Sequence, residues 1–257
     1  MKTIAFINQK GGVGKTTTCL NVGAALSLCG FKCLLVDVDP QGSLSQSAGY
    51  DNLSDDDYTT YEVLKGVITT AGAIESGDYD ILPTDIRLSA AEIELVSSER
   101  RNYLLRDALS KVKERYDFIL IDCPPSLNIF TLMALAASDE VIIPVEAQYL
   151  PLKGVSQIVD TVELVKAQIN PKLDVGGILV TFYDGRRNLD KDVLEALKEY
   201  FGDKVFTTTI SRNTKVAEAP SHGVDIFKYC LNGSGARQYM SLAQEILKHE
   251  TTEGKER

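Results

Sequence analysis

The sequence predicts an α/β fold, a doubly wound and mostly parallel twisted sheet with helices on both faces. Three observations predict it. Short runs rich in Val, Ile and Leu alternate with helix-length amphipathic stretches along the whole chain, which is the pattern of repeated βαβ units. Runs such as Phe118-Ile119-Leu120-Ile121 are apolar at every position, so both faces of that strand must be covered. The 257 residues, 44% hydrophobic and 25% charged, suit a globular chain long enough to bury a core without staples.

Taken in order, the apolar runs place strands at 3–7, 33–38, 79–82, 118–121, 140–145, 175–181 and 204–210. Helices are expected between and after them at 17–29, 87–97, 100–115, 129–137, 154–169, 191–201 and 236–249. The last carries an apolar stripe of Met240, Leu242, Ala243, Ile246 and Leu247, read as a core-docking face. No internal repeat, low-complexity tract or Gly/Ser linker interrupts the pattern, so a single domain is expected over residues 1–250. The acidic run 51–57 reads as an exposed loop, and 251–257 as a frayed, disordered tail. In such sheets ligands sit outside the carboxyl ends of the strands, and chemistry is to be sought there.

Composition excludes several classes. The net charge of −9 argues against a chain coated in nucleic acid. Basic and acidic residues balance from Tyr183 onward, however, so the acidic excess lies in the first 182 residues and a local basic patch has room in the last third. Cys19, Cys29, Cys33, Cys123 and Cys230 form an odd set without a C-x-x-C pair, which disfavours a disulfide framework and a zinc knuckle and suits a reducing cytoplasm. No apolar run approaches the ~18 residues that span a bilayer, and Met1-Lys2-Thr3-Ile4 does not open a signal peptide. A cytoplasmic protein is expected. The two histidines, His222 and His249, fall in no ligand or triad pattern and read as packing or surface residues, and Cys123 as a small buried hydrophobe.

Directly after the first strand comes Asn8-Gln9-Lys10-Gly11-Gly12-Val13-Gly14-Lys15-Thr16-Thr17-Thr18, followed at once by a helix. Glycines let consecutive backbone amides converge on one point, and the helix N-terminus adds unsatisfied donors and the positive end of its dipole. An anion should bind there, with Lys15 neutralising β- and γ-phosphates and the Thr16 hydroxyl on Mg²⁺. The G-x-x-x-x-G-K-[ST] pattern is not met in full, because Gln9 holds its first glycine position. Lys10, a second lysine at the mouth, is by itself either a surface charge or a further phosphate ligand.

Two later strands end in acids. Leu34-Leu35-Val36-Asp37-Val38-Asp39-Pro40-Gln41-Gly42 and Ile119-Leu120-Ile121-Asp122-Cys123-Pro124-Pro125-Ser126 place Asp37, Asp39 and Asp122 where a cation or donor must meet them. Asp122 has the position of an acid that holds magnesium through its water shell. Asp37 and Asp39 share a strand face, and one can order the metal while the other meets an attacking water.

The loop K-G-G-x-G-K-T-T resembles the deviant Walker A loop of the ParA/MinD family of P-loop ATPases. Ile210-Ser211-Arg212-Asn213, with Glu218-Ala219-Pro220-Ser221-His222-Gly223, is similar to the I-P-R-N…E-A-P-S-x-G signature of the ParA/Soj partition ATPases. With L-L-V-D-x-D-P-Q-G and I-D-C-P-P-S-L, the resemblance runs from Lys2 to about Leu247.

It implies a P-loop NTPase of the deviant Walker A type that uses ATP and Mg²⁺. Nucleotide would be held by Lys10, Gly11, Gly12, Val13, Gly14, Lys15, Thr16 and Thr17, with Ser211 and Asn213 near the base, and metal by Thr16, Asp37 and Asp122. Lys10 would reach the phosphates of a partner, Lys15 would act within its own site, and Asp39 would orient the water. The family further implies an ATP-dependent sandwich homodimer that binds double-stranded DNA without sequence preference. The positions matching its DNA contacts are Arg186, Arg212 and Lys215. Hydrolysis, slow on its own, would be stimulated by a ParB/Spo0J-type centromere-binding partner, and the protein would be cytoplasmic and nucleoid-associated. Ser211 departs from the usual proline, and Lys215 stands where relatives often carry Arg, which loses the planar fork but keeps the charge. A MinD-like membrane switch is the alternative; it needs a terminal amphipathic helix with a basic polar face, which Glu245 and Glu250 dilute. An electron carrier would need cluster cysteines on loops, whereas Cys19, Cys29 and Cys33 fall in a helix and a strand.

Overall fold

A computed structural model describes residues 1–148 and 151–253. Seven strands, β1 (Lys2–Phe6), β2 (Cys33–Asp37), β3 (Asp80–Leu82), β4 (Phe118–Asp122), β5 (Glu140–Glu146), β6 (Asp174–Tyr183) and β7 (Ile210–Ser211), form one sheet in the order β3-β2-β4-β1-β5-β6-β7. Every pairing between them is parallel. The order reverses at β1, which lies between β4 and β5, so the loop leaving β1 opens at the crevice where such folds bind ligands.

The helices are α1 (Lys15–Leu28), α2 (Ser43–Ser47), α3 (Thr60–Leu64), α4 (Leu88–Glu94), α5 (Leu104–Leu109), α6 (Ile129–Ala137), α7 (Pro151–Gln168), α8 (Asn188–Phe201), α9 (Thr214–Glu218), α10 (Ile226–Cys230) and α11 (Ser234–Glu253). Strand side chains alternate between two core clusters, as a doubly wound sheet requires. Ala5, Leu34, Val36, Ile119, Ile121 and Ile143 face one cluster with α5 to α8, while Ile4, Phe6, Leu35, Leu120, Ile142 and Leu179 face the other with α1, α10 and α11. Leu120 is fully buried, and such burial contributes roughly 1.5–3 kcal/mol per side chain.

Two expected elements differ. The run 204–210 is not a strand. Gly202–Lys204 makes a tight turn, Val205 forms one isolated bridge to Ile178, and Phe206 turns into the core against Gly177, so only Ile210–Ser211 joins the sheet. The single helix expected over 100–115 breaks into turns flanking α5. There the Ser110 hydroxyl bonds the Asp107 carbonyl, and the amides of Lys111 and Val112 reach back three residues instead of four. The tail expected from 251 is helical through Glu253, and 254–257 lie outside the described residues. The stripe on α11 docks as expected: Leu242, Ala243 and Ile246 are buried beside Tyr239. Among the described residues no helix is long and apolar enough to cross a membrane. His222 stacks on Tyr229 and His249 on Phe206, and Cys123 is buried, matching the packing roles expected of them.

Candidate functional site

β4 sits between β2 and β1, and the register sets Asp37 beside Asp122 and Phe6 beside Asp122. Two acids 85 positions apart in sequence thus lie side by side, on one side of the point where the chain leaves β1 for the glycine loop. Gly12 and Gly14 take φ of 74° and 88°, the left-handed region that an L side chain adopts only with strain. Gly14 is the N-cap of α1, and no side chain caps that helix, so its first amides and its dipole aim into the loop. Outward of this turn, side chains added at Gly11 or Gly12 would meet nothing. The cradle is open on the side from which a phosphate would approach.

The loop is braced from the sheet. The Thr181 hydroxyl on β6 donates to the Val13 carbonyl (2.9 Å), and Asn8 donates to the Pro144 carbonyl (2.7 Å) while accepting the Lys10 amide (2.9 Å). Asn21 ties α1 to α10, donating to the Thr17 carbonyl and accepting the Ile226 amide. Thr181 and Asn8 were not expected among the site residues. Asn8 lay inside the quoted motif, and Thr181 closed an expected strand, but their partners are far away in sequence.

Four ionisable groups share the interior of the site. Lys15 is 7% exposed, and burial lowers its pKa against the pull of Asp122, Cys123 and Asp39. Asp122 is fully buried. Desolvation and the neighbouring charge of Asp37 push its carboxyl well above the ordinary range, although the Thr16 hydroxyl donates to Oδ2 at 2.6 Å. Its Oδ1 is buried with no hydrogen-bond partner. An orphaned carboxylate oxygen beside a hydroxyl on the first turn of a helix fits a divalent cation bound with phosphate.

Asp37 was expected among the metal ligands, but its oxygens are engaged within its own loop. Oδ1 accepts the Asp39 amide (3.1 Å), and Oδ2 accepts both the amide and the hydroxyl of Ser45 (2.9 and 2.8 Å). Burial raises it to about 7 despite these bonds. Ser45 in turn accepts the Thr84 amide, so Asp37 fixes the turn that presents Asp39. Asp39 lies past the end of β2, 8% exposed, and accepts the Gln41 amide. Gly42 closes this turn with φ 63°; a side chain there would come within 2.8 Å of the Thr84 carbonyl oxygen.

The remaining expected residues lie at the rim. Lys10 donates to Gln148 (2.7 Å) and pairs with Glu146 at the end of β5 (3.1 Å), with its side chain 54% exposed. Arg212 pairs with the other oxygen of Glu146 (3.4 Å) and lies over the Phe182 ring. Asn213 N-caps α9 through the Lys215 and Val216 amides and donates to the Ser234 hydroxyl. Ser211 donates its amide and hydroxyl to Gln238 on α11, and a proline could supply neither bond. Arg186 grips Asp184 through two bonds, and this guanidinium holds the Asp184 carboxyl well below the usual carboxylate range. Lys215 pairs with Glu218 (2.9 Å). The adjacency of β6 and β7 brings Arg186, Arg212 and Lys215 to one edge of the sheet. Two cavities, of about 330 and 420 Å³ around Asp78 and Tyr79, lie at the opposite, amino end of β2 and β3.

Comparison with known proteins agrees with this geometry. A family model described as an AAA domain matches residues 1–175. The sporulation initiation inhibitor protein Soj of Bacillus subtilis is 46% identical over 95% of this chain and 98% of its own. The chain belongs to the ParA/Soj family of partition ATPases. A second member, the chromosome-partitioning ATPase Soj of Treponema pallidum, is 46% identical over 96% of this chain and 97% of its own. Among solved structures, cobyrinic acid a,c-diamide synthase from Mycobacterium smegmatis with bound ADP and magnesium superposes with a TM-score of 0.85. It is 35% identical, with 98% of this chain and 96% of that one covered. The ParA/Soj assignment places the glycine loop, Asp39 and Asp122 in a partition ATPase rather than in an unspecified nucleotide-binding fold.

Proposed function

We propose that this chain is an ATP- and Mg²⁺-dependent partition ATPase whose ATP-bound form is a sandwich homodimer on double-stranded DNA of any sequence. The observation that carries the reading is the division of the two lysines. Lys15 is buried among the acids of its own site, while the exposed Lys10 is held by Glu146 and Gln148, beyond the end of β5, and by none of those acids. A second copy facing the first would give Lys10 a phosphate to neutralise.

In this reading the amides of residues 11–16 and Lys15 bind and orient the triphosphate, and Asp39 aligns the attacking water. Thr16 and Asp122 would hold the magnesium ion, which supplies charge neutralisation at the β- and γ-phosphates. Asp37 keeps the Asp39 turn in place. With so few groups acting, turnover is slow until a ParB-type partner stimulates it. Arg186, Arg212 and Lys215 exchange their carboxylate partners for DNA phosphates, and two copies double the patch. The protein works in the cytoplasm on the nucleoid.

The test is retention on mixed-sequence DNA with ATP, with ADP and without nucleotide, at several salt concentrations. Retention confined to ATP and falling steeply with salt is expected; equal retention in all three states would refute the DNA reading.

A further inference from the structure

Among the described residues Phe182 is the only non-glycine in the left-handed region, at φ 54°. An L side chain is crowded there, and such residues persist only where the surroundings hold them. The holders are identifiable. On the chain's amino side, Thr181 is fixed by its bond to the Val13 carbonyl in the phosphate loop. On the carboxyl side, the Asp184 amide donates to the buried Asp190 carboxylate (2.8 Å). Above the ring lies the Arg212 guanidinium, 5.0 Å from its centroid. The pairing of β6 with β7 skips this residue: Thr181 opposes Ile210 and Tyr183 opposes Ser211, so Phe182 is the extra residue of a bulge.

Two routes from the phosphate loop converge on it. One runs through the backbone, from Val13 to Thr181. The other runs through side chains: Glu146 holds Lys10 on one oxygen and Arg212 on the other, and Arg212 covers the ring. Two residues beyond the bulge begins the turn that carries Arg186. A strained residue held from several sides has a second arrangement available as soon as one holder moves. Were Lys10 to leave Glu146, the charge that tethers Arg212 would change, and a phosphate drawn into the loop would act on Val13 and so on Thr181.

We propose that Phe182 is a positioning residue that relays occupancy of the phosphate loop to Arg212 and to the Arg186 turn. The proposal rests on the DNA-binding reading given above. It implies that ATP and DNA affinities are coupled through this bulge rather than only through the addition of a second copy.

The experiment measures affinity for a mixed-sequence DNA duplex with and without ATP·Mg²⁺, and separately affinity for a fluorescent ATP analogue, in wild type, Phe182→Gly, Phe182→Tyr and Thr181→Val. The gain in DNA affinity on adding ATP should fall about tenfold or more in Phe182→Gly, since glycine needs no holder, while analogue affinity changes by about threefold or less. Phe182→Tyr keeps the ring and should keep the gain. Thr181→Val, which loosens the same route from the loop side, should lose more of the gain than of the analogue affinity. Phe182→Gly with the wild-type gain, or with analogue affinity lost in proportion, would overturn the relay. A wild-type chain without any gain would overturn it together with the DNA reading, and is recognised because the variants play no part in that result. Should Thr181→Val fail to fold, the Phe182 pair decides alone.

Discussion

The buried end of the site and its basic rim hold their charges in opposite ways. At the carboxyl ends of β2 and β4, Lys15, Asp37 and Asp122 are withdrawn from water, and Asp122 keeps an oxygen without a partner. At the rim, Lys10, Arg186, Arg212 and Lys215 are more than half exposed, and each has a carboxylate of its own chain. Burial of an uncompensated charge is costly, so the interior is stable in full only with its ligand. Exposed pairs contribute little, so the rim can trade a carboxylate for a phosphate at small cost. One region is built for a ligand that is held, the other for one that is released.

The largest test of this contrast is Lys15→Ala. Loss of the buried ammonium should weaken nucleotide binding on the order of 100-fold, read by titration with a fluorescent ATP analogue. A change of only a few-fold would place Lys15 with the rim. Next, Arg186→Ala with Lys215→Ala should remove ATP-dependent DNA retention while leaving basal ATP turnover intact. Residual binding should show a log–log salt slope shallower by about one per cation removed. An unchanged affinity and slope would clear both residues of the role.

A smaller effect follows from the raised pKa of Asp122. Its protonated form is favoured in the folded chain, so the stability it contributes is fully present below the ordinary carboxylate range and is lost as pH rises toward the raised value. Without nucleotide or metal, Asp122→Asn should therefore match wild type in Tm at about pH 4 and exceed it by a few degrees at about pH 8. A variant less stable than wild type at pH 8 would show that the buried charge is already compensated. The smallest effect expected is that of Ser211→Pro, which forfeits both the amide and the hydroxyl bond to Gln238 and should cost about 1–2 kcal/mol in denaturant unfolding. Full stability in that variant would show that the Gln238 contact contributes nothing at this rim position.

The same contrast explains what could be read from the sequence. The central stretches Ile4-Ala5-Phe6, Leu34-Leu35-Val36 and Phe118-Ile119-Leu120-Ile121 are apolar at every position because both faces are covered, and the strand ends carry the loop and the acids, so the buried site was legible by position. The rim was not. Lys10 finds Glu146 and Thr181 finds Val13 across 136 and 168 residues, and no local pattern announces such partners. Residues 204–210 look like a strand because Phe206 is apolar, yet that side chain fills the space beside Gly177, and Thr207 and Thr208 bind Glu245 instead of a neighbouring strand. The short helices did leave signals: Thr59 and Glu62 form a capping box for α3, and Asn213 and Asp225 cap α9 and α10. The two-residue period of the strand puts Asp37 on one face with Asp39, but it says nothing of Ser45, whose amide and hydroxyl engage Asp37 from eight residues on.

The most direct measurement is light scattering of Asp39→Ala with saturating ATP and Mg²⁺. With the acid proposed to orient the water gone and the triphosphate intact, the chain should scatter at twice its 28.1 kDa mass and return to one copy with ADP. A single-copy mass in saturating ATP would contradict the account, because Lys10 would then have no second cradle to enter.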